Sequence, residues 1–324
     1  MKYDLTSHQL NKLVEIISKS YDTYAPQAVG GRVVLKKVDG ISNLRLFSKT
    51  TVLPFKKIIF SNESEFEAPP EQRLIALLGL HICDVHALHI FLKQFTEFKS
   101  IPQRDKLLIV ASECKPDENC FCEVFGANRL DGFDIYLQKE KGEQLSAFTN
   151  SELGEDILEA AEIISAEDQT DPRPIKHDDD DFEYSLENTI SRRADFEDFW
   201  RKIANNCFGC GACTAVCPLC FCFRQDYKNN LDGSSQVCLK WDSCFAKGFS
   251  EIQMRKDLRP ENVDRLYNWY HHKFVRGKHE LGRFLCIGCG RCITACPANL
   301  NIKNILGALD EKVERKIKNG QSVD

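Results

Sequence analysis

Two stretches of this sequence repeat one cysteine spacing. The first is Cys207-Phe208-Gly209-Cys210-Gly211-Ala212-Cys213-Thr214-Ala215-Val216-Cys217-Pro218. The second is Cys286-Ile287-Gly288-Cys289-Gly290-Arg291-Cys292-Ile293-Thr294-Ala295-Cys296-Pro297. Both read C-x2-C-x2-C-x3-C-P. They belong to a wider excess, 16 cysteines in 324 residues against only 2 methionines. A disulfide framework belongs to short secreted chains, and a chain of this length buries a core without staples. The start, Met1–Leu10, shows no apolar signal segment. The expectation is a cytoplasmic chain with reduced thiols, and hence metal ligation.

The repeated spacing is that of the bacterial ferredoxin run for a [4Fe–4S] cluster. Thiols two residues apart wrap three corners of a cube. Gly209, Gly211, Gly288 and Gly290 let the backbone approach the sulfides and aim N–H groups at them. In two-run proteins the fourth cysteine serves the other cluster. One set is therefore Cys207, Cys210, Cys213 and Cys296, and the other is Cys286, Cys289, Cys292 and Cys217. Zinc also uses C-x2-C pairs, but three such steps closed by C-P, twice over, are not its pattern.

The remaining cysteines fall into two groups. Cys83, Cys114, Cys120 and Cys122 lie in the N-terminal region, where a third cluster is expected. Buried thiols without a metal are the alternative there. Cys220, Cys222, Cys238 and Cys244 follow the first run. Sixteen cysteines would serve four clusters, but Cys238 and Cys244 have no diagnostic spacing. Cys220, Cys222 and Cys244 stand as further ligands or as structural thiols.

The N-terminal region reads as α/β. Leu74–Leu80 and Leu107–Ala111 are continuous apolar runs, the pattern of strands covered on both faces. Between them, Asp84–Phe95 puts Val85, Leu88, Phe91, Leu92 and Phe95 on one helical face. A strand–helix–strand unit makes the two strands parallel, and ligand sites in such sheets lie beyond the strands' carboxyl ends. Cys83 and Cys114 follow those ends. Leu5–Ile17 is expected as an amphipathic helix, Arg32–Leu35 and Lys57–Phe60 as strands. Ser151–Glu187 holds 14 acidic residues against Arg173 and Lys176, with the run His177–Asp181 inside it. It reads as a solvated linker. The fold class expected is α+β: an α/β domain over 1–150, an acidic linker over 151–190 and a mainly helical ferredoxin-like dicluster domain over 191–324. The segment Pro218–Leu285, between the runs, looks mainly helical and aromatic. Its His271-His272-Lys273 stretch reads as a helix surface or core histidines before it reads as a ligand.

Other functions lack their residues. The net charge of -5 argues against nucleic acid. The longest apolar run has seven residues, well short of the ~18 that a membrane span needs. No Gly-rich dinucleotide turn after a strand, P-loop, nucleophile elbow or H-E-x-x-H is present.

Together these residues resemble the beta (iron–sulfur) subunits of NAD(P)-linked sulfhydrogenases and the A subunit of anaerobic sulfite reductase. The shared pieces are Cys83-Asp84, Glu113-Cys114 with Glu118-Asn119-Cys120-Phe121-Cys122 and Gly126, and Cys207 through Cys222. Trp241-Asp242-Ser243-Cys244, His272-Lys273 and Cys286 through Pro297 complete the pattern, from which Cys238 departs. The resemblance implies a subunit that relays electrons and is not catalytic alone. It would stand between a flavin (FAD) subunit that handles NAD(P)H and a catalytic subunit carrying sirohaem or nickel–iron. The Glu118–Cys122 block and the compact length lean towards the sulfite reductase branch. A self-contained flavin and iron–sulfur oxidoreductase is the further alternative.

Overall fold

A computed structural model of the chain describes residues 1–60, 64–65, 74–98, 101–142, 144–175 and 186–318. The chain forms two compact units. The first comprises Met1–Glu118, Gly126–His177 and Asp226–Leu239, and the second Asn119–Phe125, Asp178–Gln225 and Lys240–Asp324.

The first unit is built on a seven-stranded mixed sheet. In chain order its elements are β1 (Lys2–Thr6), α1 (Ser7–Ser20), β2 (Asp22–Val29), β3 (Arg32–Lys37), α2 (Lys56–Ile59) and the two-residue β4 (Ser64–Glu65). Then come β5 (Ile75–Leu80), α3 (Ile82–Gln94), β6 (Leu107–Ser112), β7 (Ile135–Lys139), β8 (Gln144–Thr149) and α4 (Glu152–Ala160). The sheet order is β1-β8-β7-β6-β5-β2-β3. Pairs β2–β5, β5–β6 and β6–β7 are parallel, the others antiparallel. Every residue of β5 and β6 is buried, as continuous apolar runs require, and α3 connects them. Their ends meet at the pair Leu80↔Ala111. Cys83 lies in the first turn of α3, and Cys114 two residues beyond β6.

Three local expectations are corrected. The helix begins at Ser7 rather than Leu5, because a capping box closes it: Thr6 Oγ1 accepts from Gln9 N at 3.3 Å, and Gln9 Oε1 accepts from Thr6 N at 2.9 Å. Tyr3 and Leu5 instead alternate inward along β1. Lys57–Phe60 is not a strand. It belongs to the single helical turn α2 and its end, which lets Phe55 and Phe60 reach Phe91 and Phe95 of the helix side, with centroids 6.0 and 6.1 Å apart.

The acidic stretch is the third correction. Over residues 151–175 it is packed structure rather than linker. Ser151 caps α4, Leu158, Ala161 and Ile163 are buried in the sheet's core, and Arg173 N–H donates to Gln138 Oε1 at 3.1 Å. Its carboxylates face outward while its sparse apolar residues dock. The run His177–Asp181 lies outside the described residues.

Further along the chain come α5 (Leu186–Ser191), α6 (Glu197–Asn206), α7 (Ala212–Val216) and the strands β9 (Phe223–Asn229) and β10 (Ser235–Trp241). Next are β11 (Glu251–Ile252), β12 (Lys256–Asp257), α8 (Asn262–His271), a π-helical turn His272–Arg276, α9 (Gly277–Leu281), α10 (Arg291–Thr294) and α11 (Ile302–Lys318). Residues 226–239, the far part of β9 and β10, group with the first unit. There Cys238 is buried opposite Glu65 of β4. The segment between the cysteine runs is thus β then α rather than mainly helical. Its aromatics form core: Trp200 meets Tyr267 and Tyr270 at 5.4 and 5.1 Å, and Phe274 and Leu306 are fully buried. Among the described residues no helix is long and apolar enough to cross a membrane.

Candidate metal centre

Each cysteine run folds into the same local shape. Gly209 and Gly288 both have φ +63°, and Gly211 and Gly290 have φ +75° and +73°. L side chains rarely adopt this left-handed backbone. The turn it makes aims the N–H of Gly209 at Cys207 Sγ (3.4 Å) and that of Gly288 at Cys286 Sγ (3.5 Å). Each run then enters a short helix, α7 or α10, and these two helices pack against each other. Asn262 holds the entry to the first run, with Nδ2 donating to Ala204 O at 3.1 Å and Cys207 O at 2.7 Å.

Packing α7 on α10 brings thiols of one run to the other. Cys207, Cys210, Cys213, Cys292 and Cys296 line a cavity of ≈ 50 Å³, together with Trp269, Tyr270 and Pro297. Cys207 and Cys296 are close enough for their charges to interact, as are Cys217 and both Cys286 and Cys292. Leu300 N–H donates to Cys296 Sγ at 3.3 Å. Burial pushes Cys213 and Cys286 up to about 12 and Cys292 well above the usual thiol range. Soft sulfur donors around a small apolar cavity fit an iron–sulfur group, whose iron takes the place of the thiol protons. Trp269 adds a buried Nε1–H with no partner among the described residues. None of the 16 cysteines is in a disulfide.

A lysine stands beside the second set. Lys273, 3% exposed, donates from Nζ to Cys217 Sγ at 3.1 Å and to Leu285 O at 3.0 Å. Burial lowers its pKa, but negative charge on the Cys217, Cys220 and Cys286 sulfurs, with the hydrogen bond to Cys217, more than offsets this and holds it well above the ordinary value. Cys222 and Cys244 are in hydrogen-bond contact, which together with burial raises Cys244. Cys220, Cys222 and Cys244 therefore all lie in the second unit near the runs, whereas Cys238 belongs to the first. His272 is half-buried against Phe221, with ring centroids 5.9 Å apart.

The N-terminal set is divided. Cys83 and Cys114 belong to the first unit, at the carboxyl edge of β5 and β6, and Cys120 and Cys122 to the second. Within the second unit, the segment holding Cys120 and Cys122 lies against the second cysteine run. Phe121 N–H donates to Gly288 O at 2.8 Å, and a Cβ on Gly290 would stand 2.6 Å from Asn119 O. Sequence reasoning noticed Lys273 only within the His271-His272-Lys273 stretch and the His272-Lys273 pair, and did not place it beside a cysteine. A further signal was a lysine falling on the apolar stripe of Leu266, Trp269, Tyr270 and Phe274.

The family model described as "4Fe-4S dicluster domain" matches residues 206–300. The chain is 28% identical over 309 residues to "Sulfhydrogenase 2 subunit beta" of Pyrococcus furiosus, covering 89% of this chain and 92% of the relative. No solved structure matches. The chain is thus a homologue of that sulfhydrogenase beta subunit and carries a 4Fe-4S dicluster domain.

Proposed function

We propose that this chain is the iron–sulfur electron-transfer subunit of a sulfhydrogenase-type complex. It passes single electrons between an NAD(P)H–flavin subunit and a nickel–iron catalytic subunit. The observation that carries this reading is the pair of matched cysteine loops whose helices pack together, with thiols of both runs lining one cavity. Similarity to a sulfhydrogenase subunit favours the hydrogenase branch over the sulfite reductase branch that the Glu118–Cys122 block suggests.

In this reading Cys207, Cys210, Cys213 and Cys296 hold one [4Fe–4S] cluster, and Cys286, Cys289, Cys292 and Cys217 hold the other. A cluster, when bound, supplies a one-electron redox couple. The chain's own residues do the rest. Gly209, Gly288 and Leu300 donate N–H groups to cysteine sulfurs, which stabilises the added negative charge. Phe245, Trp269, Tyr270 and Ile302 wall the cavity with apolar surface. Cys210 is exposed and its neighbour Phe208 is 71% exposed, so an electron partner reaches the first run closely there.

Capture of the chain with its native neighbours, without oxygen, tests the reading. Nickel together with flavin in the captured complex is the expected result. Sirohaem in place of nickel moves the chain to the sulfite reductase branch. Capture of neither overturns the relay.

A further inference from the structure

The contacts of Lys273 go further than ligand binding requires. Its Nζ, in a side chain 3% exposed, touches Cys217 Sγ at 3.1 Å, Leu285 O at 3.0 Å and the face of Trp269 at 5.2 Å from the centroid. A sulfur, a carbonyl and a ring offer no carboxylate to pair with the ammonium. A buried cation is tolerated only where another negative charge compensates it. The sulfurs of Cys217 and its neighbours are the groups that can supply that charge.

The backbone fixes this placement. Lys273 lies in the π-helical turn His272–Arg276, and π turns are rare in helices and recur at functional sites. Its carbonyl accepts from Leu285 N–H at 2.8 Å while its Nζ donates to Leu285 O. This two-way grip ties the lysine to the residue immediately before Cys286. Lys273 therefore bridges the last cysteine of the first run and the first cysteine of the second.

We propose that Lys273 is a positioning residue that sets the reduction potential of the cluster shared by Cys217 and the second run. The inference rests on the ligand sets proposed above. In the step concerned, one electron enters the cluster, no bond is made or broken, and no proton moves. The fixed positive charge favours the more negative, reduced form, so it raises the potential.

The test is EPR-monitored redox titration of the full chain, purified without oxygen, as wild type, Lys273→Met and Lys273→Arg. Lys273→Met should shift one cluster to lower potential, changing its reduction equilibrium at least tenfold, which is about 59 mV for one electron. Lys273→Arg, which keeps the charge, should stay near wild type. A Lys273→Met protein with full iron and an unchanged potential overturns the proposal. A second measurement covers the case in which Lys273→Met loses its iron: wild type labelled with 15N-lysine, reduced and examined by pulsed EPR. A lysine nitrogen coupled to the cluster, absent in Lys273→Arg, is expected, and no coupling in wild type overturns the proposal. Wild type without labile sulfide instead overturns the ligand sets themselves, and the proposal with them.

Discussion

Phe121 and Gly288 are joined backbone to backbone: the N–H of Phe121 donates to the carbonyl of Gly288 at 2.8 Å. A Cβ on Gly288 would collide with the Phe121 carbonyl, and Gly288 has φ +63°. Gly288→Ala should therefore displace residues 119–122 and disturb the second cysteine loop. The expected cost is about 1–3 kcal/mol of stability with reduced iron content. Gly126→Ala is the control, since Gly126 has φ +60° and open space around it. It should carry only the backbone cost, about 1 kcal/mol, and keep its iron. Denaturant midpoints and iron assays of both variants check this.

The proposed crossed ligation predicts a sharp pairing of phenotypes. Cys217 lies near Cys286 and Cys292 of the other run as well as Cys213 of its own, and Cys207 near Cys296 as well as Cys210. Cys217→Ser should match Cys289→Ser in the EPR signal it loses, and Cys296→Ser should match Cys210→Ser. Grouping by position in sequence, with Cys217→Ser matching Cys210→Ser, would show that each run serves its own cluster.

Acid should weaken the second unit through His272. Burial lowers its pKa to about 4 from the ordinary 6.5, helped by the charges of Lys273 and Arg276. The unfolded chain takes up a proton on this histidine below 6.5, while the folded one does so only near 4. Stability from this group is thus fully present above 6.5 and is lost as pH falls through that window. Wild type should lose about 1 kcal/mol per pH unit more than His272→Gln between pH 6.5 and 5. Equal slopes in urea titrations would remove His272 from the acid response.

Much of the fold was legible because its signals are local. The apolar runs Leu74–Leu80 and Leu107–Ala111 announced β5 and β6, and the helical face between them announced α3. Lys57–Phe60 misled because Ile58-Ile59-Phe60 is too short an apolar run to separate a strand from one helical turn. The stretch after Ser151 misled because its charge outweighs the few apolar residues, Leu158, Ala161 and Ile163, that dock it. At the site, both cysteine runs were visible from spacing alone. Lys273 beside Cys217 and Phe121 on Gly288 join residues 56 and 167 positions apart, and no local pattern encodes such pairs.

Iron and acid-labile sulfide per chain, measured on protein purified without oxygen, bear most directly on the central claim. Two [4Fe–4S] clusters predict about eight of each, any excess marking sites beyond the two runs. Colourless protein holding zinc, with neither iron nor labile sulfide, would contradict it.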